Sequence, residues 1–326
     1  MSAGEGAAAG RTAGGSPRAL ISARQFRILL PALSLALIVA AIAYQNPRAV
    51  SYFGLNLMLN LSIPIALATI AQLCVITVND LDLSIGNFAS FAGCITATWL
   101  HDDPLLGVLA LLACIAVYAL LGALIHLRNL PSIVVTLGMS FVWLGLAILV
   151  LPKPGGQAPD WLHGLMAVHV PWVPFPIVAA LVIAVVAHFG LMRTPFGAIL
   201  RGAGGNPNAI ARAGWSLLRI KVTMFALAGL FGVLSGLALI GLTTSADANI
   251  GKGYTLLSVA GVILGGGEFI GGVVSPIGAV IGALTLTLAG SLLTFVRISP
   301  DWQVGAQGMI LILVLAARAL FARQEA

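Results

Sequence analysis

Long apolar runs alternate with short polar stretches along almost the whole chain. A helix needs roughly 20 apolar residues to cross the hydrocarbon core of a bilayer, and on that measure the pattern predicts about ten spans. They fall near residues 28–44, 55–78, 84–100, 105–126, 132–151, 174–192, 217–242, 255–270, 274–296 and 304–321. The expected fold class is an all-α polytopic membrane protein, with one transmembrane domain over 25–322. Residues 1–24, rich in Gly, Ala and Ser with scattered Arg, read as a disordered tail. Residues 323–326 form a short C-terminal tail. The first apolar run ends in Gln45-Asn46-Pro47-Arg48 rather than a small-residue cleavage site, so it reads as a retained span.

Charge tests this topology independently. Cytoplasmic connections carry an excess of Lys and Arg. With every span crossing and the N-terminus inside, Arg11, Arg18, Arg24, Arg27, Arg128, Arg193, Arg201, Arg212, Arg219, Lys221, Arg318 and Arg323 lie inside. Only Arg48, Lys153, Lys252 and Arg297 lie outside. Both termini are therefore expected in the cytoplasm, and the loop over 152–173 in the periplasm.

The polar segment around 193–216 separates two strongly apolar regions and holds no acidic residue. Within it, Asn206-Pro207 is a helix start, Asn as N-cap and Pro at the first helical position. Gly214 is the matching stop. The spacing predicts a short cytoplasmic helix, too small to be a domain and suited to docking a separate partner.

Composition agrees with a membrane protein: 60% of the residues are hydrophobic and 8% charged, with mean hydropathy +1.06. The net charge of +6 follows from topology, so nucleic acid is not an expected partner; membrane lipid is. Cys74, Cys94 and Cys114 lie inside apolar stretches without metal-ligand spacing and read as buried small residues. The 38 glycines include four-residue pairs, Gly232/Gly236, Gly261/Gly265, Gly267/Gly271 and Gly278/Gly282. Small residues one turn apart let helices approach closely in lipid; glycine is also simply common in membrane helices.

Ionisable groups within spans are few. Asp80 and Asp82, in Asn79-Asp80-Leu81-Asp82-Leu83-Ser84-Ile85-Gly86, either line a polar cavity or, for Asp82, cap the third span. Glu268 reads as interfacial, and His126 and His188 sit near helix ends. No span carries the series of charged groups that an ion-coupled carrier uses. GxxxxGK[ST], HExxH and GxSxG motifs are missing, so no catalytic site and no metal site is expected, and an energy source must lie in another chain.

Three stretches together resemble the membrane permease subunit of the bacterial ribose-type, carbohydrate-importing ABC transporter family. Leu81-Asp82-Leu83-Ser84-Ile85-Gly86 is similar to that family's Ile-Asp-Leu-Ser-Val-Gly signature. The stretch from Gly204-Gly205-Asn206-Pro207 through Ala209 and Arg212 to Gly214 is similar to its cytoplasmic Gly-Gly-Asn loop. Gly251-Lys252-Gly253-Tyr254, followed by Ala260, Gly265-Gly266 and Gly271-Gly272, is similar to a third. The chain departs from the pattern at Asn79-Asp80, where the family usually has Gly-Gly, and at Thr255, where it usually has Glu.

The resemblance implies an inner-membrane importer for a monosaccharide or polyol. This chain would pair with a second permease chain, identical or paralogous. Cytoplasmic ABC ATPase subunits would bind the ATP, and a periplasmic binding protein would deliver substrate. Gly204, Gly205, Asn206, Pro207, Ala209, Arg212 and Gly214 become the ATPase-coupling residues. Asn79, Asp80, Asp82, Ser84 and Gly86 become candidates for the substrate pathway. The competing readings are a related permease for branched-chain amino acids or nucleosides, a secondary carrier, and a non-transporting membrane scaffold. A faint echo links Ser84-Ile85-Gly86 with Ser275-Pro276-Ile277-Gly278.

Overall fold

The computed structural model describes residues 23–297, together with the isolated positions 302, 305, 308 and 309. Residues 1–22 of the expected N-terminal tail, the C-terminal tail, all of the tenth span over 304–321 except positions 305, 308 and 309, and Arg318 and Arg323 lie outside the described residues. The order of elements is α1 (Ala23–Gln45), α2 (Tyr52–Leu59), α3 (Ser62–Thr77), α4 (Ile85–Ala97), α5 (Trp99–Asp102), α6 (Pro104–Leu127) and α7 (Ser132–Val150). Then come α8 (Asp160–Met166), α9 (Phe175–His188) with a π turn over Phe189–Arg193, α10 (Pro195–Gly205) and α11 (Pro207–Arg212). Finally there are α12 (Leu217–Thr243), α13 (Tyr254–Leu264) and α14 (Pro276–Phe295). Among the described residues the only extended pairing is one antiparallel bridge between Gly155 and Ala246.

Among the described residues five helices are long and apolar enough to cross a membrane: α6, α7, α9 with its π turn, α12 and α14. The bent pair α2–α3 makes a sixth, with a 44° break. The bend has a local cause. Pro64, in the first turn of α3, has no N–H to return to the preceding turn, and the freed segment is pinned by Ser62 Oγ donating to Leu59 O at 2.6 Å.

Every residue of α3 and of α4 is buried. Helices hydrophobic all round belong in the middle of a bundle, and α3 is packed by α4, α9, α12, α13 and α14. By contrast α6, α7 and α9 expose broad apolar faces, as membrane helices do. The glycine pairs explain two of the closest contacts. Gly261 of α13 and Gly265 just past its end oppose Gly282 and Gly278 of α14, backbone on backbone. Gly232 and Gly236 of α12 receive Phe88, Ala89 and Ala92 of α4. The pair Gly267/Gly271 is different, because it lies in the irregular connection between α13 and α14 rather than on a helix.

Several predicted spans are shorter than their apolar runs. The third ends at Ala97, and the eighth stops at Leu264. Both are half-length helices, and what completes their depth is irregular backbone.

Candidate functional site

The polar segment over 193–216 is a pair of helices rather than a single one. Thr194 Oγ1 accepts from Gly197 N at 2.9 Å and Pro195 opens α10. Asn206 then caps α11, its Oδ1 accepting from Ala209 N at 3.0 Å, with Pro207 at the first helical position. Gly214 adopts φ +86, and the end is closed by Gly214 N donating to Ala211 O (3.0 Å) and Trp215 N donating to Ile210 O (3.2 Å). This is the paired-bond helix stop that a left-handed glycine allows. No residue of α11 is buried, and Arg212 projects from its last turn. Gly204, by contrast, is buried: a Cβ there would strike Thr77 O and the Cα of Gly272.

The dipeptide Asn79-Asp80 grips both sides of this helical pair. Asn79, at φ +60, donates through Nδ2 to Gly204 O at 2.7 Å, two residues before the α11 cap Asn206. Its Oδ1 accepts from Gly271 N at 3.0 Å. Asp80 forms an ion pair with Lys221 at 2.8 Å, in the second turn of α12 beyond α11. One turn of chain therefore ties the exposed α11 to the break between α3 and α4 and to the loop between α13 and α14.

From Leu81 to Ser84 the backbone is irregular and largely enclosed, which is tolerable at membrane depth only when every polar group finds a protein partner. Side chains supply them. Leu81 N donates to Ser132 Oγ (3.2 Å) and Leu83 N to Thr136 Oγ1 (3.1 Å). The Gln72 amide pairs with Asp82 N and O. Asp82 is fully buried; its carboxylate accepts from Ser84 N (2.6 Å), Ser84 Oγ (2.7 Å) and Tyr118 OH (2.8 Å). The residue is thus neither the N-cap of α4, a position held by Ser84, nor exposed to a cavity in this conformation. Gly86 packs against the backbone of Gly251 and Lys252, and its N donates to Thr255 Oγ1 at 3.0 Å. The five candidate pathway residues divide accordingly: Asn79 and Asp80 form ties, while Asp82, Ser84 and Gly86 build the break itself.

The segment opposite Gly86 was legible only as an outer loop. Thr244 and Ala97 stand at one level, both bonded to the 155–158 loop through Ala158 N and Gln157 N at 2.9 Å. From there the chain runs inward along α4 until Gly251 N donates to Ser90 Oγ at 2.9 Å. With about 1.5 Å of rise per residue, Gly86 lies roughly 16 Å inside the level of Ala97, about half of a ~30 Å core. Tyr118, beside Ser84, lies near the middle of α6. Two half-length helices, α4 and α13, therefore start side by side in the middle of the bundle and point in opposite directions. The start of α13 is thus the spatial neighbour of Ser84-Ile85-Gly86, while the echoed Ser275 stands, like Ser84, at a helix N-cap, that of α14. The expected span over 255–270 hid this: α13 has only 11 residues and cannot cross alone, so the polar residues before it supply depth.

This arrangement, with half-helices meeting at mid-depth and a small exposed helix at one end, is what a transport subunit needs. A family model described as "Branched-chain amino acid transport system / permease component" matches residues 28–315. The chain belongs to this permease family. The permease is 26% identical to the ribose import permease protein of Haemophilus influenzae, over 92% of this chain and 94% of that one. It is 28% identical to the galactose/methyl galactoside import permease protein of the same organism, over 73% and 78%. A probable ABC transporter permease protein of Escherichia coli is 28% identical over 89% and 90%. No solved structure matches. The permease is accordingly an ABC transporter permease by family, and a membrane protein by both family and fold.

Proposed function

We propose that this chain is the membrane-spanning subunit of an ATP-driven importer that carries a monosaccharide or polyol across the bacterial cytoplasmic membrane. Two permease chains form the path, ABC ATPase subunits bind α11 from the cytoplasm, and a periplasmic binding protein delivers substrate. Both chain ends lie in the cytoplasm, and about ten spans cross.

The observation that carries the reading is α11: a capped, exposed, basic helix whose two flanks are tied by Asn79 and Asp80 to the mid-bundle break. A helix built that way transmits force from a docked partner to the place where the spans are interrupted. Arg212 and the exposed face around Asn206, Pro207 and Ala209 meet the ATPase. Gly204, Gly205 and Gly214 shape the backbone that presents them. The sugar assignment rests on relatives named for ribose and galactose import. The family description instead names branched-chain amino acids, which is the second reading.

ATPase activity of this chain purified with its ATPase partner in lipid separates them. Stimulation by a binding protein loaded with ribose or galactose is the expected result. Stimulation by one loaded with leucine, and by no sugar-loaded protein, would transfer the assignment to amino acids.

A further inference from the structure

Between Ser245 and Gly253 the chain reads Ser-Ala-Asp-Ala-Asn-Ile-Gly-Lys-Gly, and its residues sort into two flanks. Ala246, Ala248 and Gly251 are buried against the bundle, whereas Ser245, Asn249, Lys252 and Gly253 are exposed, with Asp247 partly so. Lys252 sits at the inner limit of this strip. Its carbonyl lies against Gly86, in the middle of the bundle, while its side chain is open to the outside of the single chain. Among the described residues no carboxylate pairs with it; the ion pair they contain joins Asp80 to Lys221.

An unpaired ammonium at mid-depth cannot face hydrocarbon without a cost of several kcal/mol. Its four-carbon stem is too short to reach either interface from there. The exposed flank of this strip is therefore not a lipid face. Asn249 and Ser245, earlier in the strip, are exposed polar residues as well, whereas the exposed faces of α6 and α7 are apolar.

We propose that the 245–253 strip is one wall of the aqueous substrate path, and that Lys252 and Asn249 are its mid-depth binding groups. They donate hydrogen bonds to the oxygens of a polyhydroxylated substrate, neutral or anionic, and the fixed positive charge excludes cationic solutes. This deepens the importer reading and rests on it for the substrate, but the water-facing flank rests on the geometry alone.

The test uses the full transporter in proteoliposomes. Lys252→Cys is treated with membrane-impermeant thiol reagents; Cys74, Cys94 and Cys114 are all buried and give little background. Reaction at position 252, slowed by ribose- or galactose-loaded binding protein with ATP, is the expected result. Lys252→Met should raise the KM for import about tenfold, the loss of one charge-assisted hydrogen bond, with the maximal rate retained, and Lys252→Arg should restore most of it. Position 252 unreactive from both sides, or Lys252→Met importing with unchanged KM, would overturn the proposal. A reactive position 252 in a transporter that imports no sugar under ATP would instead overturn the importer reading and leave the aqueous wall standing.

Discussion

The α10–α11 pair and the mid-bundle break are both irregular interruptions of an otherwise apolar helical chain, but they are stabilised in opposite ways. α11 is held by local signals within nine residues: an Asn cap, a Pro start and a Gly stop. The break is held mainly by groups outside it in sequence: Gln72, Tyr118, Ser132 and Thr136 all bond the stretch from Leu81 to Ser84. The region proposed to meet a partner keeps its backbone satisfied by itself and its side chains exposed. A region buried in the membrane must borrow every partner from its neighbours.

Substitutions should separate the two regions. The largest loss is expected for Asp82→Ala, which leaves Ser84 N and the hydroxyls of Ser84 and Tyr118 without their shared acceptor. About 3 kcal/mol of stability should go, read as a lowered Tm in detergent. Asp82→Asn keeps one acceptor oxygen and should recover most of it.

Next comes Gly204→Ala, whose new methyl group has no room between Thr77 and Gly272. Overpacking of this kind costs about 2 kcal/mol. Gly205→Ala, whose nearest neighbour is Gly271 O at 3.3 Å, should cost less than half as much, and a reversal of that order would contradict the packing described here.

Asn79→Gly suits the positive φ but removes both ties, to Gly204 and Gly271. Stability should fall by only about 1 kcal/mol. ATP hydrolysed per sugar imported should rise several-fold, because α11 no longer moves with the break; hydrolysis and import falling together would make Asn79 merely structural.

The smallest effect on stability belongs to Arg212→Glu. It lies on the exposed α11, so Tm should move by less than about 0.5 kcal/mol equivalent. Association with the ATPase, measured by co-purification, should nonetheless be lost.

The contrast also explains what the sequence made legible. Nine apolar runs coincide with helices, and α11 was readable to the residue, because hydrophobic period and capping chemistry are local properties. Asn79 and Asp80 were recognisable as polar residues in an apolar setting, but their partners lie as much as 192 residues away, and nothing local points to Gly204, Lys221 or Gly271. The same is true of the 245–253 strip. Alternating charge rules placed Lys252 outside, since they assume that each connection stays at the surface. A connection that dips to mid-depth and returns as a short helix violates that assumption, and only the contact between Gly86 and Gly251 reveals it. α10 was missed for a simpler reason: Gly202, Gly204 and Gly205 argue against a helix, and its packing on Thr77 and Gly272 outweighs them.

The most direct test of the account is uptake of labelled ribose and galactose into proteoliposomes holding this chain with its ATPase, ATP inside and loaded binding protein outside. The account predicts accumulation that requires ATP hydrolysis and disappears in Arg212→Glu. Accumulation that persists without the ATPase, or in Arg212→Glu at the original rate, would contradict it.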